Sequence, residues 1–130
     1  MALRILLVDD NDRFLESAAQ FLALEPRLQV VGRARSGPEA IDFVRQVHPD
    51  LVLMDLAMPG MHGLEATRRI KAMPEPPAVV VLSLHDTPHD RATAATTADG
   101  FVSKADLGSM LVPTIGRLFG LKPPGDPDDD

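Results

Sequence analysis

The sequence predicts an α/β fold: a doubly wound sheet of five parallel strands with helices packed on both faces. Two observations point to it. Three short runs, Ile5-Leu6-Leu7-Val8, Leu51-Val52-Leu53-Met54 and Val79-Val80-Val81-Leu82, are apolar at every position, and apolarity that is continuous instead of alternating marks a strand buried on both sides. Between them lie helical patterns long enough to return the chain to the same end of the sheet, as parallel pairing requires. The 130 residues, 45% apolar and 25% charged, suffice for one domain with a real core and are too few for two.

In chain order, Ile5-Leu6-Leu7-Val8 is the first strand. A first helix follows over about 12–24, with Phe14, Leu15, Ala18, Phe21 and Leu22 at helical spacing and Pro26 beyond its end. Residues 29–33 form a weaker second strand. Ser36-Gly37-Pro38-Glu39 opens a second helix with a capping-box pattern, and His48-Pro49-Asp50 stops it after Val47. The third strand is Leu51-Val52-Leu53-Met54. A third helix spans about 64–73 and is ended by Pro74, Pro76 and Pro77. After the fourth strand, Thr87-Pro88 caps a fourth helix over about 88–97, so poor in apolar residues that it is expected to be the most mobile. Residues 100–103 form the fifth strand. The last helix, about 107–119, contains Gly108, Pro113 and Gly116, which call for a late start or a kink. Strand then helix, five times over, implies right-handed crossovers and function at the carboxyl ends of the strands.

Composition closes off several functions. Cysteine is absent, which removes disulfide scaffolds and cysteine-based zinc modules and fits a reducing compartment. The formal charge is −6, and half of it falls in the last ten residues, where Lys122 stands against Asp126, Asp128, Asp129 and Asp130. No basic stripe exists to displace counterions from nucleic acid, so direct nucleic-acid binding is not expected. No run is long and apolar enough for a membrane span or a signal-peptide core. Residues 121–130, with Pro123, Pro124, Gly125 and Pro127, cannot bury enough surface to order themselves, which leaves one globular unit over 1–120 and a disordered tail or linker start over 121–130.

Asp9 and Asp10 directly follow the first strand, and Asp55 follows the third. In an open α/β sheet those ends line one crevice, so residues far apart in sequence become neighbours. Three adjacent carboxylates repel unless a cation sits among them, and an oxygen-only set suits the hard ion Mg²⁺. One aspartate after a strand is usually a turn residue or a helix cap; three together weaken that explanation. Ser83 closes the fourth strand with a hydroxyl that donates and accepts. Lys104 follows the fifth, in Phe101-Val102-Ser103-Lys104, with a point positive charge. Every strand end at the middle of the crevice thus carries a group suited to a phosphoryl centre, and none suited to acyl or hydride transfer.

These residues resemble the receiver domains of two-component response regulators over about residues 3–120. The resemblance rests on Asp9-Asp10, on Asp55-Leu56-Ala57-Met58-Pro59-Gly60-Met61-His62-Gly63, on Ser83, and on Phe101 three residues before Lys104. The combination is specific, although each part alone is weak. Residues 5–10 and 51–63 look most like receivers that precede a helix-turn-helix output domain of the NarL/LuxR type. No such domain follows within these 130 residues, so a stand-alone or excised receiver is expected.

The resemblance implies a flavodoxin-like receiver fold with strand order 2-1-3-4-5. It implies that Asp55 accepts a phosphoryl group from a sensor histidine kinase or a small acyl phosphate. Mg²⁺ would be held by Asp10, Asp55, the Ala57 carbonyl and, through water, Asp9; the metal and Lys104 would supply most of the catalysis. Ser83 would then bond a phosphoryl oxygen, and Phe101 would turn into the vacated space, repacking the surface of the fourth helix, fifth strand and fifth helix. That surface is the expected face for a homodimer, an output module or another partner, with Met110, Leu118 and Phe119 as apolar contacts. A permanently buried ring at Phe101 and ordinary packing of the other three are the plainer alternatives. The expected location is the bacterial cytoplasm. The only chemistry expected is on the protein itself, so it is not an enzyme with a separate substrate.

Three positions depart from the family pattern. Leu84 is bulkier than the residue usual after the serine and narrows access to the site. Ala105 stands where many receivers have a proline after a cis peptide bond, which leaves the geometry of the 104–105 peptide open. Thr97 replaces a frequent glycine. Among rival functions, a flavodoxin-like cofactor site is disfavoured because Asp9-Asp10-Asn11-Asp12 would repel a bare phosphate. An aspartyl-phosphate phosphatase needs an acid or base two positions after its nucleophile, where Ala57 stands. A receiver-like interaction scaffold that works without phosphorylation stays open as the alternative. Zinc at His85 and His89 is disfavoured, since Thr87-Pro88 leaves His85 outside the helix. His48 and His62 sit in predicted loops and suggest no function.

Overall fold

The structure is a computed structural model that describes residues 2–58, 60–84 and 87–121. Five strands alternate with five helices: β1 (Leu3–Val8), α1 (Asp12–Ala23), β2 (Leu28–Ala34), α2 (Gly37–Val47), β3 (Leu51–Asp55), α3 (Gly63–Lys71), β4 (Ala78–Ser83), α4 (Pro88–Thr97), β5 (Gly100–Ser103) and α5 (Leu107–Phe119). The strands pair in parallel in the order β2-β1-β3-β4-β5. This is the expected doubly wound, flavodoxin-like receiver topology.

The central strands are apolar throughout because alternate residues feed two cores. On one face Leu6, Val8, Val52, Met54, Val79 and Val81 meet Ile41 and Val44 of α2, Leu64 and Ile70 of α3, and Ala94 of α4. On the other, Ile5, Leu7, Leu53, Val80 and Leu82 meet Leu15, Ala18 and Leu22 of α1 and Leu111 and Ile115 of α5. β2 is longer than its sequence pattern suggested. It carries an extra residue, since Ile5 pairs with Val30 and Leu6 with Gly32, the mark of a bulge. Gly32 makes room for Phe43: a Cβ there would stand 2.1 Å from the ring, which would have to move.

Helix starts follow local chemistry. Asn11 Oδ1 accepts from the amides of Arg13 and Phe14, Ser36 Oγ from Glu39, and Thr87 Oγ1 from Asp90 with Pro88 in the first turn. α2 ends on His48 in the left-handed conformation, at φ 52°. A 3₁₀ turn over Lys104–Asp106 leads into α5, which contains Pro113. Met110 and Leu118 are exposed, as expected for apolar contacts, whereas Phe119 is half-buried against the α1/α5 core. Leu121 also packs on that core. The rest of the expected tail, residues 122–130, lies outside the described residues. Among the described residues no helix is long and apolar enough to cross a membrane.

Candidate functional site

Parallel register sets four strand ends side by side: Val8 pairs with Met54, Asp55 with Leu82, and Ser83 with Ser103. Asp9, Asp55, Ser83 and Lys104 therefore meet, as their positions in the sequence predict. With Asp10, Asn11, Ala57, His62, Leu84 and Asp90 among their neighbours, they line a cavity of about 300 Å³. Larger hollows lie at the opposite end of the sheet, beside His48 and Pro74, and between α5 and Arg27. Neither adjoins the carboxyl ends of the strands, whereas a hollow of about 440 Å³ beside Asp12, Arg35 and Glu39 lies at the end of β2, away from Asp55.

Asp9 is buried with both carboxylate oxygens engaged. Oδ1 accepts from the Asn11 amide at 2.9 Å, and Oδ2 accepts from Lys104 Nζ at 2.6 Å. Lys104 also reaches Asp55 Oδ1 at 3.0 Å, and its Nζ lies 4.2 Å from the centroid of the Phe14 ring. Asp10 is exposed, and one carboxylate oxygen from each of Asp9, Asp10 and Asp55 lies within 4.8 Å of the others. That is an oxygen-only cluster that could hold a hard cation. No described peptide bond is cis, so the 104–105 peptide is trans with Ala105 in the place of proline.

Burial pushes the Asp55 carboxyl above its ordinary range. Lys104 opposes the rise by hydrogen bond and charge, and the charges of Asp9 and Asp10 add to it. Burial alone would lower Lys104, yet its bonds to Asp9 and Asp55 hold it above the ordinary lysine value. Asp55 thus shares its cationic partner, Lys104, with Asp9.

Asp55 is placed by the start of α3 as much as by β3. Gly63 packs so closely that a Cβ would stand 2.1 Å from the Asp55 carbonyl oxygen, and the Gly63 amide donates to Leu56 O at 2.9 Å. This contact explains the glycine at the end of the Asp55–Gly63 motif and moves the helix start one residue earlier than expected. Ser83 is buried. Phe101 pairs with Val81, so by alternation it lies on the same sheet face as Ser83, one step below. Its ring is half-buried against the α2/α3/α4 core and carries the Arg91 guanidinium 4.9 Å from its centroid. It is neither fully buried nor free.

Sequence reasoning assigned no functional role to His62 or Phe14. His62 caps α3, its Nδ1 accepting from the Leu64 amide at 3.2 Å, and lines the cavity with Asp90. Its place directly before a helical stripe was the available signal. Phe14 was visible only as part of the α1 apolar stripe. Leu84, expected to narrow access to the site, is 67% exposed at the cavity wall. His89 lies on α4, while His85 falls outside the described residues.

Comparison with known proteins agrees with this geometry. Residues 5–112 match the response regulator receiver domain family. Response regulator GacA of Pseudomonas viridiflava is 39% identical over 118 residues, which is 90% of this chain and 55% of the relative. The transcriptional regulatory protein LiaR of Bacillus subtilis is 38% identical over 81 residues, 62% of this chain and 38% of the relative. The chain spans about half the length of the GacA relatives it matches. A LuxR-family two-component response regulator from Aurantimonas sp. SI85-9A1 superposes with a TM-score of 0.87 at 30% identity, covering 98% of this chain and 92% of that one. The response regulator domain of Thermotoga maritima CheB has the same fold, with a TM-score of 0.82 at 24% identity over 95% of this chain and all of that one. From the first strand into the last helix, then, the chain belongs to the response regulator receiver domains of two-component signal transduction.

Proposed function

We propose that this receiver is a phosphorylation-activated switch whose phosphoacceptor is Asp55. The supporting observation is the sharing of Lys104 by Asp9 and Asp55, at 2.6 and 3.0 Å, with an Asp10 oxygen in the same carboxylate cluster. A structural ion pair needs one acid. Three clustered acids, two of them sharing one half-buried ammonium, leave negative charge for a cation to neutralise.

The donor set fits Mg²⁺: Asp10, Asp55, the Ala57 carbonyl and, through water, Asp9 would hold it, and the ion would supply neutralisation of charge on the phosphoryl oxygens. An Asp55 carboxylate oxygen attacks phosphorus. The bond from phosphorus to the donor's histidine nitrogen or acyl oxygen breaks, and its electron pair leaves with the donor. Lys104 moves with the transferred oxygens and offsets their charge. Ser83 then donates its hydroxyl proton to a phosphoryl oxygen, and Phe101 turns toward the vacated space, repacking the α4-β5-α5 surface.

A sensor histidine kinase or a small acyl phosphate is the donor, and the protein works in the bacterial cytoplasm. The α4-β5-α5 surface serves a homodimer, an output module or another protein, without direct contact to nucleic acid or membrane. Residues 1–120 are the switch, and 121–130 its tail or the start of a linker. Chemistry is confined to Asp55, so no separate substrate is turned over.

The test is intact mass after incubation of the full chain with Mg²⁺ and acetyl phosphate. Gain of one phosphoryl group that is lost in Asp55→Asn and in EDTA is the expected result. No gain in the wild type overturns the switch and leaves an interaction scaffold that works without phosphorylation.

A further inference from the structure

We propose that Phe14 is a positioning residue for phosphoryl transfer: the face of its ring is the third wall of a cage that holds the Lys104 ammonium beside Asp55. The proposal takes Asp55 as the phosphoacceptor. An ammonium offers three N–H donors and accepts nothing. Asp9 takes one at 2.6 Å and Asp55 a second at 3.0 Å. Nζ also stands over the Phe14 ring, 4.2 Å from its centroid, well inside the ~6 Å at which the negative face of an aromatic ring attracts a cation.

The ring is held where the cage needs it. Phe14 lies in the first turn of α1, half-buried against the α1/α5 core, and its amide donates to Asn11 Oδ1 at 3.2 Å. The Asn11 amide donates in turn to Asp9 Oδ1 at 2.9 Å. Ring, acid and ammonium therefore depend on one capped turn.

An aromatic wall suits a lysine that must move. A third carboxylate would fix Nζ permanently, and water on that side would let the flexible stem swing away. The ring attracts the charge without offering an acceptor to release, so Nζ can slide toward a phosphoryl oxygen once Asp55 is esterified. Leucine would fill the same space without the attraction. The bland alternative is that Phe14 only packs α1 against the core, and it predicts that size alone matters.

Phe14→Leu and Phe14→Tyr in the full chain separate the two. With Mg²⁺ and acetyl phosphate, Phe14→Leu is expected to slow phosphorylation about fivefold, while Phe14→Tyr stays within about twofold of wild type. Leucine at the wild-type rate, or tyrosine as slow as leucine, overturns the proposal. A second measurement needs no phosphorylation and no variant: in the NMR spectrum of the wild type, the Lys104 ε-methylene protons should be shifted upfield by the ring. Their absence from the shifted region overturns the cage. If the wild type takes no phosphoryl group, Asp55 as phosphoacceptor fails, and the methylene shift still decides whether the cage exists.

Discussion

Asp55 is buried beside more acid than base, and the balance has a sign. A group whose pKa is raised on folding contributes stability below its unfolded pKa and loses it as pH rises through the folded value. Above the folded value, the ion-free protein therefore holds a carboxylate that would be less costly in the unfolded chain. In EDTA at pH 7, Asp55→Asn should melt at a higher temperature than wild type, and the difference should vanish near pH ~3, where the carboxyl is protonated in both states. Millimolar Mg²⁺ should raise the wild-type melting temperature at pH 7 and do little for the variant. Lys104 has the same sign at the other end of the scale, since its raised pKa stabilises the fold until pH climbs through the folded value. Lys104→Gln leaves Asp9 and Asp55 buried together without their shared cation. It should lose about 2–3 kcal/mol at pH 7 by denaturant melts, and less at acid pH.

At the scale of elements, the site depends on how α3 begins. A methyl group at position 63 would stand 2.1 Å from the Asp55 carbonyl oxygen, so the backbone leaves no room for a side chain there. Gly63→Ala must push α3 from β3 or turn the Asp55 peptide, so it should cost about 2 kcal/mol or more and slow phosphorylation too. Urea melts beside the mass assay check both effects. The strands were legible because β1, β3 and β4 are buried on both faces, a condition that writes itself into consecutive residues. The strand-end acids, Ser83 and Lys104 were legible because topology alone brings them together. The bulge in β2 was not, because it shows only in the pairing of Leu6 with Gly32, and Gly32 faces Phe43 of another element. Phe14 was hidden for a related reason: helical spacing explains it as core, and its contact with Lys104 spans most of the chain. Phe119 shows the opposite error, an apolar residue near the chain end that still reaches the core.

At the scale of the whole molecule, the helices are anchored to the sheet unequally. α1 contributes Leu15, Ala18 and Leu22 to one core, while α4 buries only Ala94 in the other. α4 is weak within itself too, since Thr93, Thr96 and Thr97 each turn a hydroxyl onto a helix carbonyl, a habit that loosens and bends helices. What attaches its outer turn to the sheet includes Arg91 over the Phe101 ring. Asp55, the proposed acceptor, thus stands on a well-packed strand, whereas α4, beside Ser83 and Phe101, is held by little burial. Opening α4 exposes little apolar surface, so its amides should exchange with solvent sooner than those of α1, through an opening smaller than global unfolding. Beryllofluoride with Mg²⁺, standing in for the phosphoryl group, should change exchange in α4 and β5 while leaving α1 as it was. Arg91→Ala should speed exchange in α4 before any ligand is added. Hydrogen exchange read by mass spectrometry decides the matter: α4 protected as strongly as α1, or a beryllofluoride response spread evenly over the molecule, would mean that the weak helix is not where the signal is expressed.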